Sequence, residues 1–352
     1  MHRLQAIALF VRASVFGMTA LMVLLGAAST SPHLPGRTAL ALLGVAACYH
    51  LFAYLLNDVV DLPIDRHEPR RAISPLVRGT VRPGVALAIA LAQVPLGLVI
   101  AGRTPGPTRA VVCLAVSFAL MAVYDLHGKR TGVPWVTDGA QGLAWAGLLL
   151  CGAAVRGPWQ PLTWMLFAFV IGYIVMANGV HGALRDLEND ARQGARSVAI
   201  VLGARIDGDG RLTMPASLAA YGWILHGGLI ALAFVPVALG EPPMEPGARA
   251  LTVVALVAVA ALASRMAADA LGAPGVVTLR SAGTLHIILV MALPAIAVLG
   301  ALDPAFQLLL GTAFALPLTV LGWFPEALRW AWRKRSVPVV AMPSAPISGG
   351  SR

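Results

Sequence analysis

The sequence predicts an all-α protein, a polytopic transmembrane helical bundle of nine to ten spans. Three observations carry this. Of the 352 residues, 58% are hydrophobic and only 12% are charged. Apolar runs of about twenty residues, long enough for a helix to cross a bilayer, recur along the chain. The Lys and Arg residues crowd into alternate loops, as they do where positive charge is kept on one side of a membrane.

The first run, 6–28, ends in the small residues Ala27, Ala28 and Ser29, as a cleavable leader would. It is long for a leader, Arg12 interrupts it and further spans follow, so it is expected to be retained. An ionisable residue inside a span is a functional candidate, although an Arg one turn from the interface also snorkels. The second run, 38–56, leads into the acidic segment Asn57-Asp58-Val59-Val60-Asp61-Leu62-Pro63-Ile64-Asp65. Runs at 83–101, 108–124 and 136–154 follow, and 161–181 leads into a second acidic segment, Asp186-Leu187-Glu188-Asn189-Asp190. Runs at 214–238, 248–268, 281–301 and 304–324 bring the count to ten. Cys48, Cys113 and Cys151 all fall within spans without paired spacing and are read as small packing residues. The expected organisation is one membrane domain over 1–328 and a basic tail over 329–352, with Trp330 and Trp332 as interfacial anchors and a disordered Pro, Ser and Gly-rich end.

Orientation follows from the 26 Lys and Arg residues. Arg37, Arg103, Arg109, Arg156 and Arg249 fall on one side, Arg12 lies within a span, and all the rest share the other side. Both acidic segments and both termini are therefore expected at the cytoplasmic face of the cell membrane. An even number of spans keeps the basic end of the chain on that side. The net charge of +10 needs no nucleic acid to explain it, because anionic lipid headgroups attract basic membrane-edge loops.

The acidic segments are the chain's most informative feature. A charged side chain at a membrane helix centre costs roughly 2.5–3.5 kcal/mol on insertion scales, so acids grouped beside spans call for a partner. If the second span continues helically, Asp58, Asp61 and Asp65 fall within an arc of about 60°, with Asn57 adjacent. Pro63 ends or kinks the helix. Asp186 and Asp190 lie about 40° apart on one face, whereas Glu188 points elsewhere and is read as solvated. Mg²⁺ takes oxygen ligands, commonly one or two carboxylates together with substrate phosphates. Two such groups on one side of the membrane suit Mg²⁺ carrying a diphosphate, with Arg and Lys on the remaining phosphate oxygens.

These residues resemble the UbiA superfamily of intramembrane prenyltransferases. Asn57 to Asp65 matches that family's NDxxDxxxD motif. Asp186 to Asp190, with Gly194 and the Ser197 to Gly203 segment after it, is similar to its second, DxxxD, motif. The resemblance runs from about the first span through residue 300. It implies a helical bundle, usually of nine spans, around a central lipid-accessible cavity. It also implies Mg²⁺-assisted ionisation of a prenyl diphosphate and transfer of the prenyl group to a small acceptor. Carried over, Asn57, Asp58, Asp61 and Asp65 would hold one part of the Mg²⁺-diphosphate, and Asp186 and Asp190 the other. Tyr124, Lys129 and Arg130 would contact the diphosphate. Ser74 stands where many members have Arg, which leaves Arg70, Arg71 or Arg78 to supply that charge, and the tenth span exceeds the usual count.

The acceptor side is expected among polar residues in or near apolar spans: Arg12, Asp138, Gln141, Asn178 and His181. For each, a helix-helix hydrogen bond is the alternative. Two further readings compete with prenyl transfer. A terpene cyclase of the same fold would quench the cation without an acceptor. A transporter would place its coupling acids near the bilayer midplane, whereas these lie at helix ends.

Overall fold

Proline marks where many of the helices begin. Pro83, Pro107, Pro134, Pro161, Pro246 and Pro304 each stand at a helix start, where the missing N–H would have no intrahelical partner in any case. The computed structural model describes residues 3–67, 71–128, 133–207, 212–272 and 276–320. In order they form α1 (Arg3–Phe10), a 3₁₀ turn (Ala13–Val15), α2 (Phe16–Ala28), α3 (Gly36–Val60) and α4 (Leu62–Asp65). Next come α5 (Pro83–Ala101), α6 (Pro107–His127), α7 (Pro134–Ala154), α8 (Pro161–Met176), a π-helical turn (Ala177–Gly182), α9 (Ala183–Arg192) and α10 (Val198–Val201). The described residues end with α11 (Ala216–Ala238), α12 (Pro246–Leu271), α13 (Val276–Leu299) and α14 (Pro304–Val320). Between α10 and α11, β1 (Arg205–Ile206) pairs antiparallel with β2 (Leu212–Thr213), Arg205 opposite Thr213. The expected tail over 329–352, with Trp330 and Trp332, lies outside the described residues.

The architecture is a transmembrane helical bundle. Among the described residues, seven segments are long and apolar enough to cross a membrane: Gly36–Val60, Pro83–Ala101, Pro107–His127, Pro161–Arg192, Ala216–Ala238, Pro246–Leu271 and Ser281–Leu299. Ala13–Ala28 and Pro304–Thr319 are shorter apolar helices. Asp138 and Gln141 lower the apolarity of α7, which is not among the seven. Of the ten expected spans, seven thus meet the requirement of length and apolarity among the described residues.

The core forms around α2, in which every residue from Gly17 to Ala28 is buried. Small residues let its neighbours approach closely. A Cβ on Gly26 would stand 1.9 Å from the Leu149 carbonyl oxygen of α7, and one on Gly152 would stand 1.9 Å from that of Val23. On another side, a Cβ on Gly17 would come within 2.6 Å of the Phe314 carbonyl oxygen, so α14 packs directly on α2. Outward faces of α5, α11 and α12 carry exposed Leu91, Val99, Ile224, Leu251 and Val254, the apolar surface that lipid requires.

The first span departs from the single helix expected over 6–28. Arg12 adopts left-handed angles, φ 46° and ψ 42°, and separates α1 from the 3₁₀ turn. His50 braces the break from α3, donating from Nε2 to the Val11 carbonyl at 2.9 Å and accepting at Nδ1 from the Thr19 hydroxyl at 2.8 Å. A polar residue with an obligatory partner thus overrides the apolar run. At the other end of α3, the bend falls at Asp61 rather than Pro63, and helical bonding continues through it, with the Asp65 N–H donating to the Asp61 carbonyl at 2.8 Å.

Candidate active site

Asn57, Asp58, Asp61 and Asp65 lie at the end of α3 and in α4, and the three carboxylates are buried. Arg12 reaches Asp58 with a terminal guanidinium nitrogen on Oδ1, while its Nε stands 3.4 Å from Oδ2. The same guanidinium lies 5.0 Å from the centre of the Tyr54 ring, within cation-π range. The left-handed backbone at Arg12 is an uncommon conformation for a non-glycine residue, and here it turns the side chain into the acidic group. Arg12, grouped by sequence with the acceptor side, is therefore part of the first acidic group. Arg71 bridges two of the acids, 3.8 Å from Asp58 and 3.5 Å from Asp65. This agrees with the expectation that Asp58 and Asp65 share a face. Arg70, Lys129 and Arg130 lie outside the described residues.

Asn57 donates its amide to Asp61 at 3.3 Å and to Asp125 at 3.4 Å. Asp125 was not among the residues singled out in the sequence, although Tyr124 beside it was. Ala110, Leu114, Ser117, Phe118 and Met121 are the buried positions of α6, and Asp125 continues that face. Its Oδ1 faces Asn57, and its Oδ2 is buried without a hydrogen-bond partner.

The second acidic group lies on α9. Asp186 pairs with Arg185 at 3.1 Å, and Asp190 is buried. Glu188 pairs with Arg192 at 3.7 Å, both well exposed, so it is a solvated surface acid as expected. Beyond α9, Gly194 takes φ 68°, a left-handed turn that glycine makes without strain, and directs the chain back past Asp61. A cleft of about 130 Å³ is lined by Val60, Asp61, Ile64, Asp125 and Leu126 on one side and Gln193, Gly194 and Ala195 on the other. A neighbouring cleft of about 370 Å³ joins Pro63, Ile64 and His67 to Asn189, Arg192 and Gln193. The two motif segments therefore border the same space.

Among the described residues no three acidic, histidine or cysteine side chains converge as a ready metal cage. Guanidinium groups of Arg12, Arg71 and Arg185 approach Asp58, Asp65 and Asp186 instead. The donor set still fits Mg²⁺, which needs few protein ligands, all oxygen. Asp61 and Asp125, which line the same small cleft, carry such oxygens.

Deeper along the helix that carries Asp186, the π turn gathers the acceptor-side candidates. Asn178 donates its amide to the Gln141 side-chain carbonyl, tying the turn to α7. Asp138 is buried on α7 with its Oδ2 beside Gly179, where a Cβ would stand 2.9 Å away, and the Tyr221 hydroxyl faces the same spot at 3.7 Å. Tyr221 is a second residue the sequence did not flag. His181 projects the other way, onto His286 of α13 at 2.8 Å. A π turn inside an α-helix is uncommon and frequently marks a functional site.

Comparison with known proteins bears on this arrangement. The UbiA prenyltransferase family matches residues 16–269. A 4-hydroxybenzoate octaprenyltransferase of Polaromonas naphthalenivorans is 32% identical over 151 residues, 42% of this chain and 50% of that protein. A polyprenyl transferase of Penicillium brasilianum is 28% identical over 149 residues, 41% of this chain and 45% of its own. The chain spans about half the length of the curated relatives it matches. Among solved structures, a UbiA homologue from Archaeoglobus fulgidus bound to GPP and Mg²⁺ superposes with a TM-score of 0.59 at 15% identity, covering 83% of this chain and 99% of that one. A UbiA homologue from Aeropyrum pernix K1 gives 0.58 at 19%, covering 87% and 98%. At these identities the likeness to the solved structures is one of fold, whereas the family match extends over most of the sequence. The chain belongs to the UbiA prenyltransferase family.

Proposed function

We propose that the protein transfers a prenyl group from an isoprenoid diphosphate to an aromatic or other small lipophilic acceptor, with Mg²⁺ as cofactor and release of diphosphate. The observation that carries this reading is the shared border of the two acidic segments, Asp61 and Asp125 on one wall of a cleft and the turn after Asp190 on the other. Asn57, Asp58, Asp61, Asp65, Asp186 and Asp190 would hold Mg²⁺ and diphosphate. Bound Mg²⁺ supplies neutralisation of the negative charge that develops on the departing diphosphate.

The chain's own groups do the rest. Arg12 and Arg71 already lie against the acids and offer planar donors to phosphate oxygens, with Tyr124, Lys129, Arg130 and Arg70 as further diphosphate contacts. A lipid-accessible cavity within the apolar bundle would keep water from the allylic cation. Asp138, Gln141, Asn178 and Tyr221, one to two turns deeper, would orient the acceptor. The acidic segments would face the cytoplasm.

The test is product analysis in nanodiscs with prenyl diphosphates of several chain lengths and a panel of phenolic acceptors. A product whose mass is acceptor plus prenyl, absent in Asp186→Ala, is expected. A cyclised hydrocarbon formed without acceptor would replace this reading with the cyclase.

A further inference from the structure

Asp138 is a buried carboxylate that the protein itself leaves without a partner. Its exposure is 9%, yet among the described residues no hydrogen bond or ion pair reaches either of its oxygens. The other acids of the site differ: Arg12, Arg71 and Arg185 approach Asp58, Asp65 and Asp186. Nor are the Asp138 oxygens sealed, as Asp125 Oδ2 is, so an entering group can still reach them. Buried polar groups are almost always hydrogen-bonded, and a buried acceptor left unsatisfied is costly.

The surroundings say what would complete it. Asp138 and Gln141 stand three residues apart on one face of α7, and Gln141 accepts from Asn178, so that face meets the π turn. Opposite Asp138 the turn has Gly179, and Asp138 Oδ2 and the Tyr221 hydroxyl lie 2.9 and 3.7 Å from the point where its Cβ would stand. The two oxygens converge there without bonding to each other. One hydroxyl between them would donate to the carboxylate and accept from the Tyr221 O–H. A second carboxylate at that spot would instead bring two like charges together away from water. Arg185, the cation nearest along the segment, is engaged with Asp186.

Position joins this spot to the site of diphosphate binding. Gly179 precedes Asp186 by seven residues on the segment Pro161–Arg192, roughly 10 Å along the axis. That separation leaves room for one aromatic ring between the diphosphate and Asp138.

We propose that Asp138, with Tyr221, holds a hydroxyl group of the acceptor, and that the acceptor is a hydroxylated aromatic with no anionic group at that end; this rests on the prenyl-transfer reading. Asp138 thereby selects the acceptor by a hydrogen bond to a charged oxygen, which discriminates strongly against an analogue lacking the donor.

The test uses three symmetrical probes, so that the same group meets Asp138 whichever way round the ring lies: hydroquinone, its dimethyl ether and terephthalate. Binding to the protein in nanodiscs is measured by equilibrium dialysis under argon, with empty nanodiscs giving the lipid background. Wild type is expected to bind hydroquinone at least about tenfold more tightly than either of the others. In Asp138→Leu the preference over the dimethyl ether is expected to fall below about threefold with no loss of melting temperature, because an apolar residue replaces an unpaired buried charge. A smaller wild-type preference, no hydroquinone binding at about millimolar concentration, or a preference that stays above about threefold in Asp138→Leu overturns the proposal. If Asp138→Leu melts below the assay temperature, Asp138→Asn, which keeps the shape and removes the charge, is read by the same criteria. Binding needs no turnover, so wild-type protein that releases no diphosphate contradicts the transfer reading while the probe ratios still decide Asp138.

Discussion

The Arg12 guanidinium lies against the Asp58 carboxylate, 46 residues further along the chain and near the end of another helix. The left-handed backbone at Arg12 and the His50 brace hold it there, so the break in the first span and the first acidic group form one construction. Removing one partner of a largely buried pair leaves the other charge uncompensated. Arg12→Ala is expected to destabilise the protein by roughly 3 kcal/mol, and Arg12→Lys by less, since a cation remains without the planar fork. Thermal unfolding in detergent checks the order. Arg12→Ala as stable as wild type would contradict it.

Asp125 and Asp61 both accept from the Asn57 Nδ2 amide, which fixes which end of that amide faces the carboxylates. Partners that orient metal ligands typically contribute 10–100-fold in metal affinity. Asp125→Ala is expected to raise the Mn²⁺ concentration for half-saturation at least about 10-fold, measured by electron spin resonance of Mn²⁺ standing in for Mg²⁺. Unchanged Mn²⁺ binding would remove Asp125 from the site.

The crossing of α2 and α7 leaves no room for a methyl group at Gly152, where a Cβ would stand 1.9 Å from the Val23 carbonyl oxygen. Because the obstacle is backbone, the helices must separate. Gly152→Ala is expected to cost about 3 kcal/mol and lower the melting temperature. Gly227→Ala, inside α11 where a Cβ meets nothing within 4 Å, is the control that should leave it unchanged or raise it slightly.

Outside the spans, the Asp303 carboxylate accepts from the Phe306 N–H at 2.8 Å and pairs with His33. These hydrogen bonds, the backbone one foremost, hold its pKa below the ordinary value of 3.8. A depressed carboxylate contributes stability that is present above its unfolded-state pKa and is lost as pH falls through the folded value. Melting temperature is therefore expected to fall on acidification below about pH 4 by less in Asp303→Asn than in wild type. Parallel curves would refute a role for this cap.

Much of this was legible in the residues, because apolar length, loop charge and helical spacing are local properties. Asp58, Asp61 and Asp65 fall within reach of common partners because a fixed turn angle relates them, and Glu188 turns away for the same reason. The break at Arg12 was not legible, since it depends on His50 and Asp58 arriving from α3. Asp125 and Tyr221 were missed because a single polar residue on a buried helix face acquires meaning only from what another helix brings to it. His181, His286 and His226, whose rings are hydrogen-bonded in that order, are the extreme case: His181 and His226 are 45 residues apart, His226 and His286 are 60, and no spacing rule connects them.

Diphosphate release from a prenyl diphosphate, followed with and without Mg²⁺ in wild type and Asp61→Ala reconstituted in nanodiscs, tests the central claim most directly. The expected result is release that requires Mg²⁺ and falls by a factor of at least about 100 in Asp61→Ala, as for loss of a group that stabilises a developing charge. Release that proceeds equally without Mg²⁺, or survives intact in Asp61→Ala, would contradict the assignment of the acidic clefts as the site of diphosphate ionisation.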